Sequence, residues 1–352
     1  MGDGAGEVVR ADEDHVDALD GGAALEGSGL MLPMHLGAEG SAQIGGLIGA
    51  NAGGNQAFCY GMMADLVLGL EVVLADGTVW DGMRAVQKDN AGYPLRRLFC
   101  GSEGTLGVVT RAVLRLHPAP VQRTTALLAL ASVGDAVAFG TRLRAEAGEF
   151  LAGLEFFSEV GLRLAEKHVP GLSLPLGSRG GCYLLVEATA GSGKVPLDEI
   201  VGTVLEWGME AGLVLDGAIA ASEAQRTAFW KLWEEQPEGQ RLEGAQLEHD
   251  IAVPPGRIAG FITAGAALVD ALLPGARINP FGHLADGNIH YNLTPPEGMV
   301  DFAGQGPEIG LALARLAQGM GAASLPSTGS AGQRSPLPMR CGRRSSAISI
   351  DG

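Results

Sequence analysis

The chain is short of basic residues, and that shortage excludes partners. Across 352 residues, 24 Lys and Arg face 40 Asp and Glu, a net charge of −16. A nucleic-acid partner calls for a basic footprint, so none is expected. Cysteine is scarce as well. Cys59, Cys100, Cys182 and Cys341 lie far apart and form no Cys-x-x-Cys pair. That spacing builds neither a disulfide framework nor a cysteine zinc site, and it suits a reducing cytoplasm. No apolar run reaches the ~18 residues of a membrane span. Met1–Glu7 is acidic and reads as lacking the basic and apolar regions of a secretory signal. No internal repeat stands out. The expectation left is a soluble acidic protein, long enough for two domains and a sizeable core.

Glycine is in excess, and its 55 residues cluster. The densest stretch is Ile44-Gly45-Gly46-Leu47-Ile48-Gly49-Ala50-Asn51-Ala52-Gly53-Gly54-Asn55. Each interior Gly costs a helix roughly 1 kcal/mol relative to Ala, so a sharply turning loop is predicted. Exposed N–H groups in such a loop suit an anion, most often a phosphate. A plain packing turn is the alternative. No Gly-Lys-Ser/Thr follows, so this is not a P-loop, and no G-x-G-x-x-G links a strand to a helix.

Residues 1–30 have little periodicity. Leu66–Leu74, then Asp76-Gly77, then Thr78-Val79-Trp80 predict a β-hairpin. Residues 91–100 read as a short helix, Gly101–Gly107 as a tight turn, and Val108–Leu116 as a partly buried strand that His117-Pro118-Ala119-Pro120 stops. Beyond that boundary, strands are predicted at Thr124–Leu130, Cys182–Thr189, Leu213–Ala220 and His249–Val253. Helices are predicted at Gly134–Phe150, Glu155–His168, Pro196–Ala211, Ser222–Glu235 (Ser222 as N-cap) and Pro255–Leu272. Two further strands flank a turn within Pro280–Leu293. The mixture suggests an antiparallel sheet with helices on one face. Ala322–Gly352 is rich in Ser, Pro, Gly and Arg and reads as disordered.

The segment Asn279–Asn292 holds a candidate metal site. With Asp286-Gly287 as the two central turn residues, His283 and His290 become direct cross-strand partners, and Asn292 shares their face. Two such imidazoles can chelate one divalent metal; two ordinary surface histidines are the alternative.

Read in order, several motifs resemble the flavin domain of the FAD-linked D-2-hydroxy-acid dehydrogenases. They are Leu32–Ser41, the glycine stretch, Tyr60-Gly61, Leu66–Thr78, Gly101-Ser102-Glu103-Gly104-Thr105-Leu106-Gly107 and Gly282–His290. The resemblance runs from about Leu30 to Gly321. It implies an α+β chain: a partial PCMH-type FAD-binding domain (1–120, its N-terminal part missing), a substrate or cap domain (121–321) and a tail (322–352). It implies FAD held at or beside Pro33, Gly37, Ser41, Gly45, Gly46, Asn51, Gly53, Gly54, Gly61, Glu103, Gly104 and Gly107. His283 and His290 become ligands of a metal, zinc, with His290 and Asn292 in the catalytic group. The implied reaction oxidises a D-2-hydroxy acid of the lactate, glycolate or 2-hydroxyglutarate type. Electrons pass to an electron-transfer flavoprotein, quinone or cytochrome rather than NAD; the cytoplasm is expected from the cysteine usage, and a homodimer is one option left open for the assembly.

The chain departs from the family's pattern at telling places. Ala285 replaces a glycine of the histidine motif. Trp233 stands where the family's Trp-x-x-Arg-Glu segment has Arg, and Glu248 replaces a Lys before His249-Asp250. The first FAD loop is not found. The Gly-Gly-Ser-x-Ser-x-Glu-His-Gly-Ile-Gly motif, source of a further metal ligand and the general base, is replaced from Ala322. One synonymous codon set for Ala322–Ala331, read one base later, spells Gly-Ser-Phe-Ser-Ala-Glu-His-Gly-Ile-Gly. A frameshift is therefore expected there, with weak or absent activity; resequencing the gene checks it. The alternatives are a non-catalytic truncated member and a non-redox flavin-domain synthase of the alkylglycerone-phosphate type.

Overall fold

Three glycines in seven residues do not keep Ile44–Ala50 from being helical. In the computed structural model this segment is helix α1, not the loop its glycine content predicts. Ile44, Leu47 and Ile48 fall at i, i+3 and i+4 and are all buried. Each such side chain contributes about 1.5–3 kcal/mol on burial, which outweighs roughly 1 kcal/mol per glycine. Asn51, at φ +47°, caps the helix, and its Oδ1 accepts the Ala64 N–H at 2.9 Å. The structure describes residues 8–11, 25–36, 42–322 and 327–328; most of the tail read as disordered therefore lies outside the described residues.

Around α1 stand β1 (Val8–Ala11), β2 (Leu30–Met31), α2 (Ala57–Tyr60), α3 (Met63–Leu66), β3 (Val67–Val73), β4 (Val79–Gly82), α4 (Arg96–Phe99), β5 (Val108–Arg115) and β6 (His117–Pro118). An antiparallel sheet of order β1-β5-β3-β4 carries this part. The predicted hairpin forms as β3 and β4, with Val73 opposite Val79 and the Asp76 carboxylate accepting the Thr78 N–H at 2.9 Å. Ile44, Leu47, Ile48, Met63, Leu66 and Leu70 form the core between α1 and the sheet.

The rest of the chain builds a larger unit. Its elements are β7 (Gln122–Leu130), α5 (Val133–Ala147), β8 (Leu151–Ser158), α6 (Glu159–His168), β9 (Cys182–Ala190), α7 (Leu197–Glu210), β10 (Val214–Ile219), α8 (Glu223–Glu234), α9 (Gln236–Glu243), β11 (His249–Ala252), α10 (Ile258–Leu272), β12 (Arg277–Ile278), β13 (Phe281–His283), β14 (Asn288–His290), β15 (Leu293–Thr294), α11 (Gly306–Gly319) and β16 (Ser327–Thr328). Eight strands pair antiparallel in the order β10-β7-β9-β8-β13-β14-β11-β16. The α+β architecture with an antiparallel sheet is as expected; the placement of helices on one face is not. Ala126, Leu128 and Leu130 belong to one core cluster with residues of α5, α7, α10 and α11. Leu127 and Ala129 face the other way and pack with α6 and α8. A strand covered on both faces reads as a continuous apolar run, so its second face leaves no polar signal.

The same effect hid β8. All eight residues of Leu151–Ser158 are buried, and a short apolar run does not distinguish a helix from a buried strand. The predicted helix from Glu155 therefore begins only at Glu159. Helices α9 and α11 were not foreseen. Ser327–Thr328, within the stretch read as disordered, pairs with the β11 edge, whose open backbone groups can template a strand. Among the described residues, no helix is long and apolar enough to cross a membrane.

Candidate active site

A groove of about 280 Å³ runs along the exposed side of α1, lined by Gly45, Gly46, Gly49, Ser102, Gly104 and Gly107 among others. The apolar face of α1 is turned into the core, so its glycines are left on the outside. The Gly101 N–H donates to Ile48 O and the Glu103 N–H to Gly49 O, both at 3.0 Å. These bonds pin the Gly101–Gly107 turn across the end of α1. Glu103 (φ +50°) and Gly104 (φ +77°) are left-handed there. A Cβ on Gly46, Gly49 or Gly104 would meet nothing within 4 Å. The floor is bare backbone, where a cofactor chain can approach closely. The residues present thus fit a dinucleotide such as FAD.

The groove gathers four of the twelve expected FAD residues: Gly45, Gly46, Gly104 and Gly107. Glu103 sits in the same turn. Asn51 caps α1, and Gly53 and Gly54 follow it in a tight turn: a Cβ on Gly54 would stand 2.6 Å from His35 O, and one on Gly53 2.7 Å from Met62 Sδ. Gly61 takes φ +87° at the end of α2. Pro33 is buried in the segment leading to this turn. Gly37 and Ser41 lie outside the described residues.

The histidine hairpin forms with a different register. Phe281 pairs with His290, Gly282 with Ile289 and His283 with Asn288. The turn is four residues, Leu284–Gly287, because β13 is also held by β8 and β14 by β11. His283 and His290 are therefore diagonal neighbours, not direct partners. A shift of two residues preserves the face, and their rings lie 6.0 Å apart between centroids.

Each histidine faces a carboxylate across its other strand. His283 pairs with Glu155, Nδ1 to Oε2 at 2.7 Å. His290 pairs with Asp250, Nδ1 to Oδ1 at 3.7 Å. Glu155 is 2% exposed, and burial pushes its carboxyl up despite His283. Burial opposes the charge on His283, but Glu155 outweighs it and raises the imidazole to about 9. Burial lowers His290, and Asp250 only partly offsets that. The two imidazoles are thus pushed in opposite directions from their ordinary value. Asn292 is buried, and its amide donates to Gln240 Oε1 at 2.8 Å; it braces β15 against α9.

Aromatic rings complete the site. The Trp233 ring lies 5.4 Å from His283 and 6.2 Å from Phe281, and Phe281 lies 4.7 Å from His290. Lys231 is exposed, two positions from Trp233 on α8. Glu155 and Phe281 escaped the reading of the sequence. A lone carboxylate inside the apolar run Leu151–Phe157 was the available signal, since buried Glu is rare unless paired.

The chain thus joins a glycine-floored groove on a small antiparallel sheet to an eight-stranded antiparallel sheet whose internal strands β13 and β14 carry a carboxylate-backed histidine pair. Residues 119–301 match the C-terminal domain of FAD linked oxidases, and residues 21–82 match an FAD binding domain. The chain belongs to the FAD-linked oxidase family. It is 38% identical over 271 residues to the mitochondrial D-2-hydroxyglutarate dehydrogenase of Bos taurus, covering 77% of this chain and 49% of the relative. It is 33% identical over 301 residues to the D-2-hydroxyglutarate dehydrogenase of Xanthomonas citri pv. viticola, covering 84% and 61%. A provisionally named mitochondrial D-lactate dehydrogenase of Schizosaccharomyces pombe is 31% identical over 294 residues, covering 79% and 56%. The chain thus spans about half the length of the curated relatives it matches. Solved structures of alkyldihydroxyacetonephosphate synthase share the fold, with TM-score 0.65 at 15% identity over 92% of this chain and 61% of that one.

Proposed function

We propose that this chain forms the flavin and substrate regions of an FAD-dependent dehydrogenase that oxidises a D-2-hydroxy acid to the 2-oxo acid. The acceptor is an electron-transfer flavoprotein, quinone or cytochrome. The observation that carries this reading is the pairing of His283 and His290 on one hairpin face, each backed by its own carboxylate. The named relatives are dehydrogenases of such acids, and the groove on α1 fits the cofactor they share.

Oxidising the alcohol removes two electrons with a hydride from Cα, and a proton from the hydroxyl. FAD, held along Gly45, Gly46, Gly104 and Gly107, supplies the hydride acceptor when bound. His290, kept neutral by burial, accepts the hydroxyl proton at Nε2 while its Nδ1 faces Asp250. His283, held protonated by Glu155, places positive charge beside the substrate's carboxylate. The two imidazoles could also serve as two of the four donors of a closed zinc site. Among the described residues, however, no set of three His, Cys, Asp or Glu side chains converges on one point. The described residues therefore do not by themselves fit zinc, and no step runs through a metal.

The test begins with the purified chain, FAD added and excess removed. Retained flavin absorbance that bleaches anaerobically with D- but not L-2-hydroxy acids is expected, with His290→Asn slowing the bleaching at least about 100-fold. A colourless protein, or bleaching indifferent to chirality, rejects the reading.

A further inference from the structure

A second cavity, of about 290 Å³, opens beside the β3–β4 hairpin and shares no lining residue with the α1 groove. Its walls include Trp80 and Gly82 of β4, Arg84, Asp89 and Tyr93 of the loop that follows, and Arg96 at the start of α4. Two glycines shape it. A Cβ on Gly82 would run into the Trp80 ring, and one on Gly69 into the backbone of Arg84. Bare backbone at these points lets the indole lie across β4 and lets the Arg84 loop settle on β3. The Trp80 ring also lies 5.3 Å from Phe99, which lines the α1 groove. One cavity thus ends on Trp80 and the other on Phe99, with this ring pair between them.

The cavity is basic in an acidic chain. Residues 81–97 hold four cations and two carboxylates, against a net charge of −16 for the whole. Each carboxylate already accepts a backbone N–H, Asp81 from Met83 at 3.0 Å and Asp89 from Ala91 at 3.2 Å. The Arg96 Nε–H donates to Val67 O at 3.1 Å, which fixes the guanidinium, and its Nη groups have no hydrogen-bond partner among the described residues. Arg84 reaches Asp89 only at 3.5 Å, and its side chain is 68% exposed. Tyr93 is 90% exposed, and Val86, Leu95 and Leu98 around it are exposed as well. Exposed apolar residues that are gathered rather than scattered mark a binding surface.

We infer that this cavity binds a small aromatic anion of the nucleoside monophosphate class, its base stacked on the Trp80 and Tyr93 rings and its phosphate met by Arg84 and Arg96. Guanidinium forks match phosphate oxygens in pairs, and two of them suit a dianion. Aromatic side chains take a base on their faces whatever its identity, so the ring pair asks for a planar group without choosing among bases. The volume lies near the lower end of the ~300–1,000 Å³ typical of small-molecule sites, which suits a mononucleotide. The site is separate from the histidine hairpin, and the inference does not depend on the hydroxy-acid reading.

The experiment is calorimetric titration of AMP into the full chain with FAD present in excess, so that the α1 groove is already filled. One AMP per chain is expected. Adenosine, which lacks the phosphate, and inorganic phosphate, which lacks the ring, should each bind at least about tenfold more weakly. Tyr93→Ala should weaken AMP about tenfold by removing a stacking face. Arg84→Ala should weaken it about tenfold by removing a charged contact to the phosphate. Both side chains stand in solvent, so neither change threatens the fold. No AMP binding at millimolar concentration, adenosine or phosphate binding as tightly as AMP, or either variant binding AMP unchanged overturns the inference. So does AMP that binds only when FAD is left out, because it then occupies the α1 groove. None of these results bears on the hydroxy-acid reading, whose own test is flavin bleaching.

Discussion

At the scale of single residues, what is missing matters as much as what is present. Gly46 lacks a side chain on an exposed helical face, and the groove exists because of it. Gly46→Ala should raise stability by up to about 1 kcal/mol in urea unfolding, since Ala is the better helix former. Gly46→Leu should fold equally well yet lower FAD affinity at least about tenfold in a flavin titration. Normal affinity in that variant would separate the groove from the cofactor. Glu155 makes the converse point. Its charge and hydrogen bond, helped by Asp286 and Asp250, hold His283 near 9 against burial. In Glu155→Gln the imidazole should titrate well below 9, as followed by NMR of the ring protons. The glycines could be read from the sequence because only a backbone needing room would cluster them. Glu155 could not, because its partner lies on a strand more than a hundred residues away.

At the scale of elements, local preference and tertiary burial pull apart in three places. Helix α1 forms against its glycines, β8 was concealed by being apolar on both faces, and the hairpin turn lengthened by two residues because neighbouring strands hold its register. Ser222 shows the opposite case, where a local signal sufficed: it caps α8 by accepting the Gln225 N–H. The joint between α6, α9 and β12 turns on Glu243. It takes Lys167 at 2.7 Å, and His168 and Arg277 at 2.6 Å. Burial would raise its carboxyl, but these three bonds prevail and depress it to about 2 from an ordinary 4.5. A depressed carboxyl contributes stability above its unfolded value and loses it as pH falls through the folded one. Glu243→Gln should therefore cost about 2 kcal/mol at pH 6. The gap to the unaltered chain should narrow between about pH 4.5 and pH 2 in denaturant melts. A gap constant with pH would rule out the carboxylate as its source.

At the scale of the whole molecule, Arg144 links the two parts. It stacks on Phe58 of α2 at 4.5 Å and holds Ala285 O in the histidine turn at 2.9 Å. FAD at 100 times its dissociation constant should stabilise the folded chain by about 2.7 kcal/mol. Arg144→Ala should leave flavin affinity intact but weaken hydroxy-acid binding, and calorimetry of each ligand in turn separates the two effects. The sequence by itself determined the motifs, the β3–β4 hairpin, the antiparallel character of the large sheet and many of the strands and helices that build it. Those follow from short-range physics: glycine needs no room for a Cβ, Asp-Gly makes a turn, and apolar residues repeat with a fixed period. Tertiary structure alone decided that α1 is helical, that both faces of the large sheet are covered, and that His283 and His290 meet diagonally with Glu155 and Asp250 behind them. Each of these depends on which distant strand or helix removes a side chain from water, and that pairing has no signature within a window of neighbouring residues.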